Sequence, residues 1–113
     1  MGEAGLDTIE LGERESLRAA AGDAFPSHRF GVHANAEGIS WIVLEPSAIR
    51  ADLLRFTICR IAPCLMVMVE DSAGRRQICS ADGVGDAMAF ARQATDQAIL
   101  AAANAHPAHK VLQ

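Results

Sequence analysis

The clearest pattern in the chain is an alternation of apolar and polar positions that predicts neighbouring antiparallel strands in its second half. Over 54–61, Leu54, Phe56 and Ile58 occupy one face and alternate with the side chains of the other, which is the two-residue period of a strand. The next run, 64–69, is apolar at every position. A strand of that kind lies inside a sheet that is covered on both faces.

Turn-forming residues separate these strands and predict a meander. Ala62-Pro63 is a tight connection between the first two strands, and Asp71–Gly74 predicts a hairpin loop before a last strand over 75–79. Gly74 is placed to take the positive φ that such loops need. One alternative stays open, because the apolar positions of 47–61 also fit the spacing of a helix.

The C-terminal segment predicts a long amphipathic helix. Its apolar positions fall on one side of a helical wheel: Val84, Ala87, Met88, Ala91, Ala94, Ala98 and Ala102. Its polar positions fall on the opposite side: Asp86, Arg92, Gln93, Asp96 and Gln97. Because the apolar side is mostly alanine, the helix can lie close against a sheet. We expect it to end between Asn104 and Pro107.

The first half of the chain predicts a short helix and a further hairpin. Good helix formers and an acidic first turn indicate a helix over Glu13–Ala24. Strands over Phe30–His33 and Ile39–Glu45 flank turn-forming residues, and the second of them is apolar on both faces. A single helical turn over Ala48–Asp52 is expected to follow.

Together these elements predict a single α+β domain over 1–113, with loose termini at 1–8 and 107–113. The fold is a four- or five-stranded antiparallel sheet, a meander, with the long C-terminal amphipathic helix packed on one face and a short N-terminal helix. The second face also needs cover. Either the N-terminal helix supplies it or a second molecule does, since an exposed apolar face of several hundred Å² is unusual for a monomer.

Composition supports a folded domain and suggests where it works. Half of the 113 residues are hydrophobic and 21% are charged, as in globular proteins. The longest apolar run is too short to cross a membrane, and the N-terminus lacks the pattern of a signal peptide. We therefore expect a cytoplasmic protein with no membrane partner. Lys110 is the only lysine, and this excess of arginine favours a bacterial source.

The net charge of −4 disfavours nucleic-acid binding, but the charges are unevenly distributed. Residues 1–45 are mainly acidic, whereas residues 46–79 carry more arginines than carboxylates. The acidic and basic parts can pair within one chain or between two copies, but the interpretation we prefer is solvated surface charge.

No motif with catalytic, metal-binding or nucleotide-binding spacing stands out. The usual nucleophile and zinc-ligand spacings are absent, so we expect no catalytic residue, no metal and no cofactor. The segment 82–86 precedes the long helix, but its two aspartates would repel a phosphate. It predicts instead a tight turn with Asp82 or Gly83 as the helix cap.

The three cysteines are expected to be reduced and structural. An odd number cannot form a complete set of disulfides within one chain. Cys59, Cys64 and Cys79 all lie in apolar strand contexts, where a thiol packs as a small hydrophobe. Cys59 and Cys64 flank one turn and are predicted to be able to face each other across the hairpin.

Three functions remain, in order of preference. The first is a non-enzymatic interaction or regulatory module that forms a homodimer through a sheet face or binds a protein partner. The second is a small-ligand-binding domain or small enzyme, with a pocket between sheet and helix lined by Trp41, Met66, Met68 and Met88. The third is single-stranded nucleic-acid binding by arginines on the sheet. The helix–strands–helix order is shared by many unrelated folds, so it does not choose among them.

The candidate binding residues for a partner or ligand all lie on the predicted strands or the hairpin between them. They are Trp41, Arg55, Arg60, Met66, Met68, Arg75 and Arg76.

Overall fold

A computed structural model describes residues 5–47 and 53–111, with side chains up to residue 104. It contains an antiparallel sheet and two helices, which confirms the predicted α+β class. The elements are β1 (Leu6–Asp7), α1 (Leu11–Ala24), β2 (His28–Ala34), β3 (Ser40–Pro46), β4 (Arg55–Ile61), β5 (Cys64–Glu70), β6 (Arg76–Ala81) and α2 (Val84–Val111). The helical turn predicted over Ala48–Asp52 lies outside the described residues.

Strands β2 to β6 follow one another across the sheet, so the predicted meander is confirmed with five strands. Its last hairpin turns at Gly74, whose φ of 86° is the positive value expected from the sequence. The helical alternative for 47–61 is wrong over β4. The reason is that Phe56 and Ile58 pair with apolar residues of β5, and these cross-strand pairs stabilise the strand conformation.

A sixth strand, β1, was not predicted, because residues 1–8 were expected to be loose. Leu6 pairs with Ile61 at the end of β4, beyond the part of β4 that pairs with β3. Three contacts with Ser40 hold this segment in place. The Thr8 hydroxyl lies 2.9 Å from the Ser40 hydroxyl and accepts the Ser40 main-chain N–H at 3.1 Å, and the buried Ile9 donates its N–H to the Ser40 carbonyl at 3.2 Å. A two-residue strand has too little alternation to be recognised from its sequence.

Both helices pack on the same face of the sheet and share one hydrophobic core. Leu17 of α1 and Ala91 of α2 are completely buried in that core, together with Phe56 and Ile58 of β4. The proposal that the N-terminal helix covers the second face is therefore wrong. The small alanine surfaces of the two helices let them lie side by side over one face, and none of the described helices or strands covers the other.

Helix α2 presents its predicted apolar side to the sheet. Ala87, Met88, Ala91 and Ala94 are buried, whereas the predicted polar side is exposed. The Ala87 N–H donates to the Gly83 carbonyl at 3.0 Å, so Gly83 is the helix cap. The helix runs past its predicted end at Asn104–Pro107 to Val111. Pro107 lies within this helix. Its ring fixes φ near the helical value, and its missing N–H removes one hydrogen bond of the helix.

No helix among the described residues is long and apolar enough to cross a membrane.

We expect Ile58→Ala to lower the free energy of unfolding by about 2–5 kcal/mol, because it opens a cavity at a completely buried position. Ile99→Ala is the matched control, since Ile99 is 47% exposed on α2 and should change stability by less than about 0.5 kcal/mol. Urea denaturation of both variants measures the difference. Equal stabilities would contradict the assignment of this core.

Candidate functional site

The candidate site is the face of the sheet opposite the two helices, which we call the open face. In β5, Leu65, Val67 and Val69 are buried against the helices, so the alternating Met66 and Met68 point to the other side. Strand register extends this set across the sheet to Trp41, Val43, Thr57, Cys59, Met66, Met68 and Ile78. No described helix or strand packs over them.

The apolar part of the open face is partly shielded at one edge and bare at the other. On β2 and β3, the His33 ring stacks on Trp41 with ring centroids 6.4 Å apart. The His33 ring also lies beside Gly31, where an added Cβ would come within 3.4 Å of Nε2. Val43, the partner of Gly31, is buried in spite of its position on this face. At the opposite edge, Ile78 of β6 is 60% exposed.

A row of charged side chains, which we call the charged row, crosses the open face beside the apolar residues. Following the strands from β2 to β6, its members are Arg29, Glu45, Arg55, Glu70 and Arg76. The sign of the charge alternates at every step. Two of the steps are ion pairs, with Arg55 2.9 Å from Glu45 and Arg76 3.7 Å from Glu70. All five side chains keep contact with solvent.

Five of the seven predicted binding residues come together on the open face. They are Trp41, Arg55, Met66, Met68 and Arg76. Their role in binding stays a prediction, but the sheet register gives them one common surface.

Arg60 lies on the other face of the sheet. It points toward α1, where Nη1 donates to the two carboxylate oxygens of Glu13 at 3.2 and 3.1 Å. This pair and the Arg55–Glu45 pair join the acidic first part of the chain to its basic centre. At these two contacts, the acidic and basic parts pair within one chain, which is one of the two alternatives to simple surface charge.

Arg75 lies in the β5–β6 hairpin loop, outside the charged row. Its Nε donates to the Asp71 carboxylate at 2.8 Å. The main-chain N–H of Arg75 also donates to this carboxylate, and that hydrogen bond does most to hold the pKa of Asp71 below its usual value. The Arg75 side chain therefore stabilises the hairpin loop in which it lies.

The pocket predicted between sheet and helix is not lined as expected. Met88 lies in the core beneath α2, but Trp41, Met66 and Met68 are on the opposite side of the sheet. The difference arises because alternate residues of a strand point to opposite faces of the sheet. All six residues from Cys64 to Val69 are apolar, so the sequence of β5 does not show which of its two sets of side chains faces the helices. A shallow groove of about 570 Å³ does exist elsewhere, between the alanines of the outer half of α2 and the β5–β6 loop.

The three cysteines are free, and the predicted juxtaposition of Cys59 and Cys64 is wrong. Cys59 pairs with Met66 and Cys64 pairs with Ile61, so the two thiols are diagonal neighbours. Burial raises the pKa of the Cys59 thiol, which disfavours its nucleophilic thiolate form.

The structure also identifies members of the open face that sequence reasoning missed. The sequence places Ile78 on the last predicted strand without distinguishing it, and it shows Arg29, Glu45 and Glu70 only as part of the uneven charge distribution. Each charge lies near an end of its strand, and that common position is the only signal in the sequence. The alternating row appears only after the strands are aligned.

Within the residues whose side chains are described, no group of three or more histidine, cysteine, aspartate or glutamate residues is placed to hold a metal ion. No protein-family model, curated protein or solved structure matches this chain.

We expect Arg60→Met to lower the free energy of unfolding by about 1–3 kcal/mol, because it leaves the partly buried Glu13 carboxylate without its partner. Arg92→Met, on the exposed side of α2, is the control and should cost less than about 0.5 kcal/mol. Chemical denaturation compares the two. An Arg60→Met protein as stable as the control would assign Arg60 no structural role.

Cys59 should be alkylated slowly at neutral pH, because its raised pKa keeps it in the thiol form. Iodoacetamide labelling followed residue by residue with mass spectrometry measures the rate. The same residue in the urea-unfolded chain is the reference, and its rate should be higher at each pH below the raised pKa. Equal rates in the folded and unfolded chains would show that burial does not protect this thiol.

Proposed function

We propose that this chain is a non-enzymatic interaction module that associates with a second copy through the open face. The observation that carries the proposal is the placement of both helices on one side of the sheet. Trp41, Met66, Met68 and Ile78 are left on the other side with no described element above them. Removing such side chains from water favours association at roughly 25 cal/mol per Å² of apolar surface.

The size of the open face suits a dimer of modest affinity. Five strands spaced about 4.8 Å apart, each six or seven residues long, make a face of roughly 24 by 20 Å. Two copies in full overlap would bury on the order of 1,000 Å² in total, which is near the lower limit for a specific interface. We therefore expect dissociation in the micromolar range.

The pairing of the arginines favours a protein partner over nucleic acid. Arg55, Arg60 and Arg76 each lie within 4 Å of a glutamate, so they do not form an uncompensated basic surface. A single strand of nucleic acid would have to displace these carboxylates to reach the guanidinium groups. The alternating charges on the open face are suited instead to a partner that also carries both signs.

We place the module in the bacterial cytoplasm, as the arginine-rich composition and the three free cysteines suggest. The reducing cytoplasm would keep these thiols unpaired. A dimer interface that contains Cys59 would then form without a disulfide.

The native mass in solution tests the proposal. Size-exclusion chromatography with light scattering, run with reductant at several protein concentrations, should show twice the chain mass of 12.0 kDa at high concentration. Dilution should return the protein to the monomer. A monomer at every concentration up to the millimolar range would overturn the proposal.

We expect Ile78→Asp to weaken the dimer at least tenfold, because it places a charge in the barest part of the apolar surface. The substitution should leave the monomer folded, since Ile78 is 60% exposed. Leu11→Asp is a matched control, because Leu11 is 63% exposed at the start of α1, away from the open face. Dissociation constants from dilution experiments measure the effect. Equal weakening by both variants would contradict an interface on the open face.

A further inference from the structure

We infer that the charged row fixes the register of this dimer, with β4 of each copy lying over β5 of the other. The inference rests on the proposed function and specifies its geometry. Its origin is the alternation of sign along Arg29, Glu45, Arg55, Glu70 and Arg76. A row of this kind repels a copy of itself in one alignment and attracts it when the copy is displaced by one strand.

The direction of the two-fold axis follows from the position of the row. All five side chains lie near one end of their strands. An axis parallel to the strands brings the rows of the two copies over each other, in opposite order. An axis perpendicular to the strands sends the rows to opposite ends of the interface, where neither faces the other. Face-to-face sheets commonly keep their strands within about 30° of each other, and both arrangements satisfy this, so the facing charged rows are what favour the first.

The position of that axis follows from the signs. If the axis passes through β4, Arg55 faces Arg55 of the other copy. Arg29 then faces Arg76, so like charges meet. If it passes between β4 and β5, Arg55 faces Glu70 and Glu45 faces Arg76. The two-fold axis makes each of these contacts twice, so four ion pairs form. Of these two alignments, only the one with its axis between β4 and β5 is attractive along the whole overlap.

A second attractive alignment has its axis between β3 and β4, and the apolar residues decide against it. That alignment leaves β6 outside the overlap, so Ile78 stays exposed. The axis between β4 and β5 instead places Ile78 above β3 of the other copy, close to Val43 and Trp41. It also places Met66 and Met68 above β4 of the other copy. This alignment therefore covers the exposed edge of the open face at Ile78 and pairs four of the five charges, leaving only β2 with Arg29 outside the overlap.

The ion pairs within each chain leave N–H donors of the arginines available for ion pairs between chains. Arg55 and Arg76 retain side-chain exposures of 47% and 63%. A guanidinium group has five N–H donors, so it can bind one carboxylate of its own chain and another across the interface. Sheets packed about 10 Å apart lie within reach of opposing arginine and glutamate side chains.

A charge-exchange experiment tests the register. Arg55→Glu and Glu70→Arg are prepared separately, and each should dimerise at least tenfold more weakly than the original chain, because like charges then face each other twice. An equimolar mixture of the two should form a heterodimer, since both facing pairs become opposite in sign. Native mass spectrometry distinguishes this heterodimer from either homodimer. Glu45→Arg mixed with Arg76→Glu is an independent pair and should behave in the same way.

A third mixture serves as the control. Glu45→Arg with Arg55→Glu restores the signs only if the axis lies between β3 and β4, so this mixture should dimerise no more tightly than either variant alone. Circular dichroism and thermal melting of each variant alone check that these substitutions, two of them at the partly buried Glu45 and Glu70, leave the fold intact. The two complementary mixtures ensure that poor folding of one variant does not decide the result.

The outcomes separate the register from the interface itself. Heterodimers in the two complementary mixtures, and no gain in affinity in the control mixture, support the inferred register. A gain in affinity in the control mixture, or in none of the mixtures, overturns it. If Ile78→Asp still abolishes the original dimer in that case, the open face remains the interface. If Ile78→Asp has no effect on a dimer that does form, the proposed function fails as well.

Discussion

The packing of both helices against one face of the sheet is the constraint on which the rest of the structure depends. Leu17 of α1 and Ala91 of α2 are completely buried beside Phe56 and Ile58, so a single core takes up the apolar surface of both helices. The alternating residues of the same strands are left on the open face. The architecture that stabilises the monomer therefore also creates the surface through which we propose that it associates.

Most of the fold is predictable because its signals are local. The two-residue period of β4, the glycine turn before β6 and the alanine side of α2 each depend on neighbouring residues, and each is confirmed. The N-terminal segment shows where this stops. Leu6 and Asp7 form a strand through contacts with residues more than 50 positions away, and no local pattern can encode that pairing.

The candidate site was only half predictable for the same reason. Trp41, Met66 and Met68 were identified by residue type, but β5 is apolar on both faces, so its sequence does not reveal which side meets the helices. Arg60 was grouped with the other strand arginines although it binds Glu13 on the helix side. The charged row depends on the alignment of five strands, which a single strand does not contain.

The central claim is that a second copy covers the open face, and a cross-copy contact tests it most directly. Isotope-filtered NMR on an equal mixture of labelled and unlabelled chains detects only contacts between copies. We expect contacts from the Ile78 methyl groups to Val43 or the Trp41 ring, at concentrations where light scattering reports a dimer. A dimer whose Ile78 and Met68 methyl groups make no contact with the other copy would contradict this account.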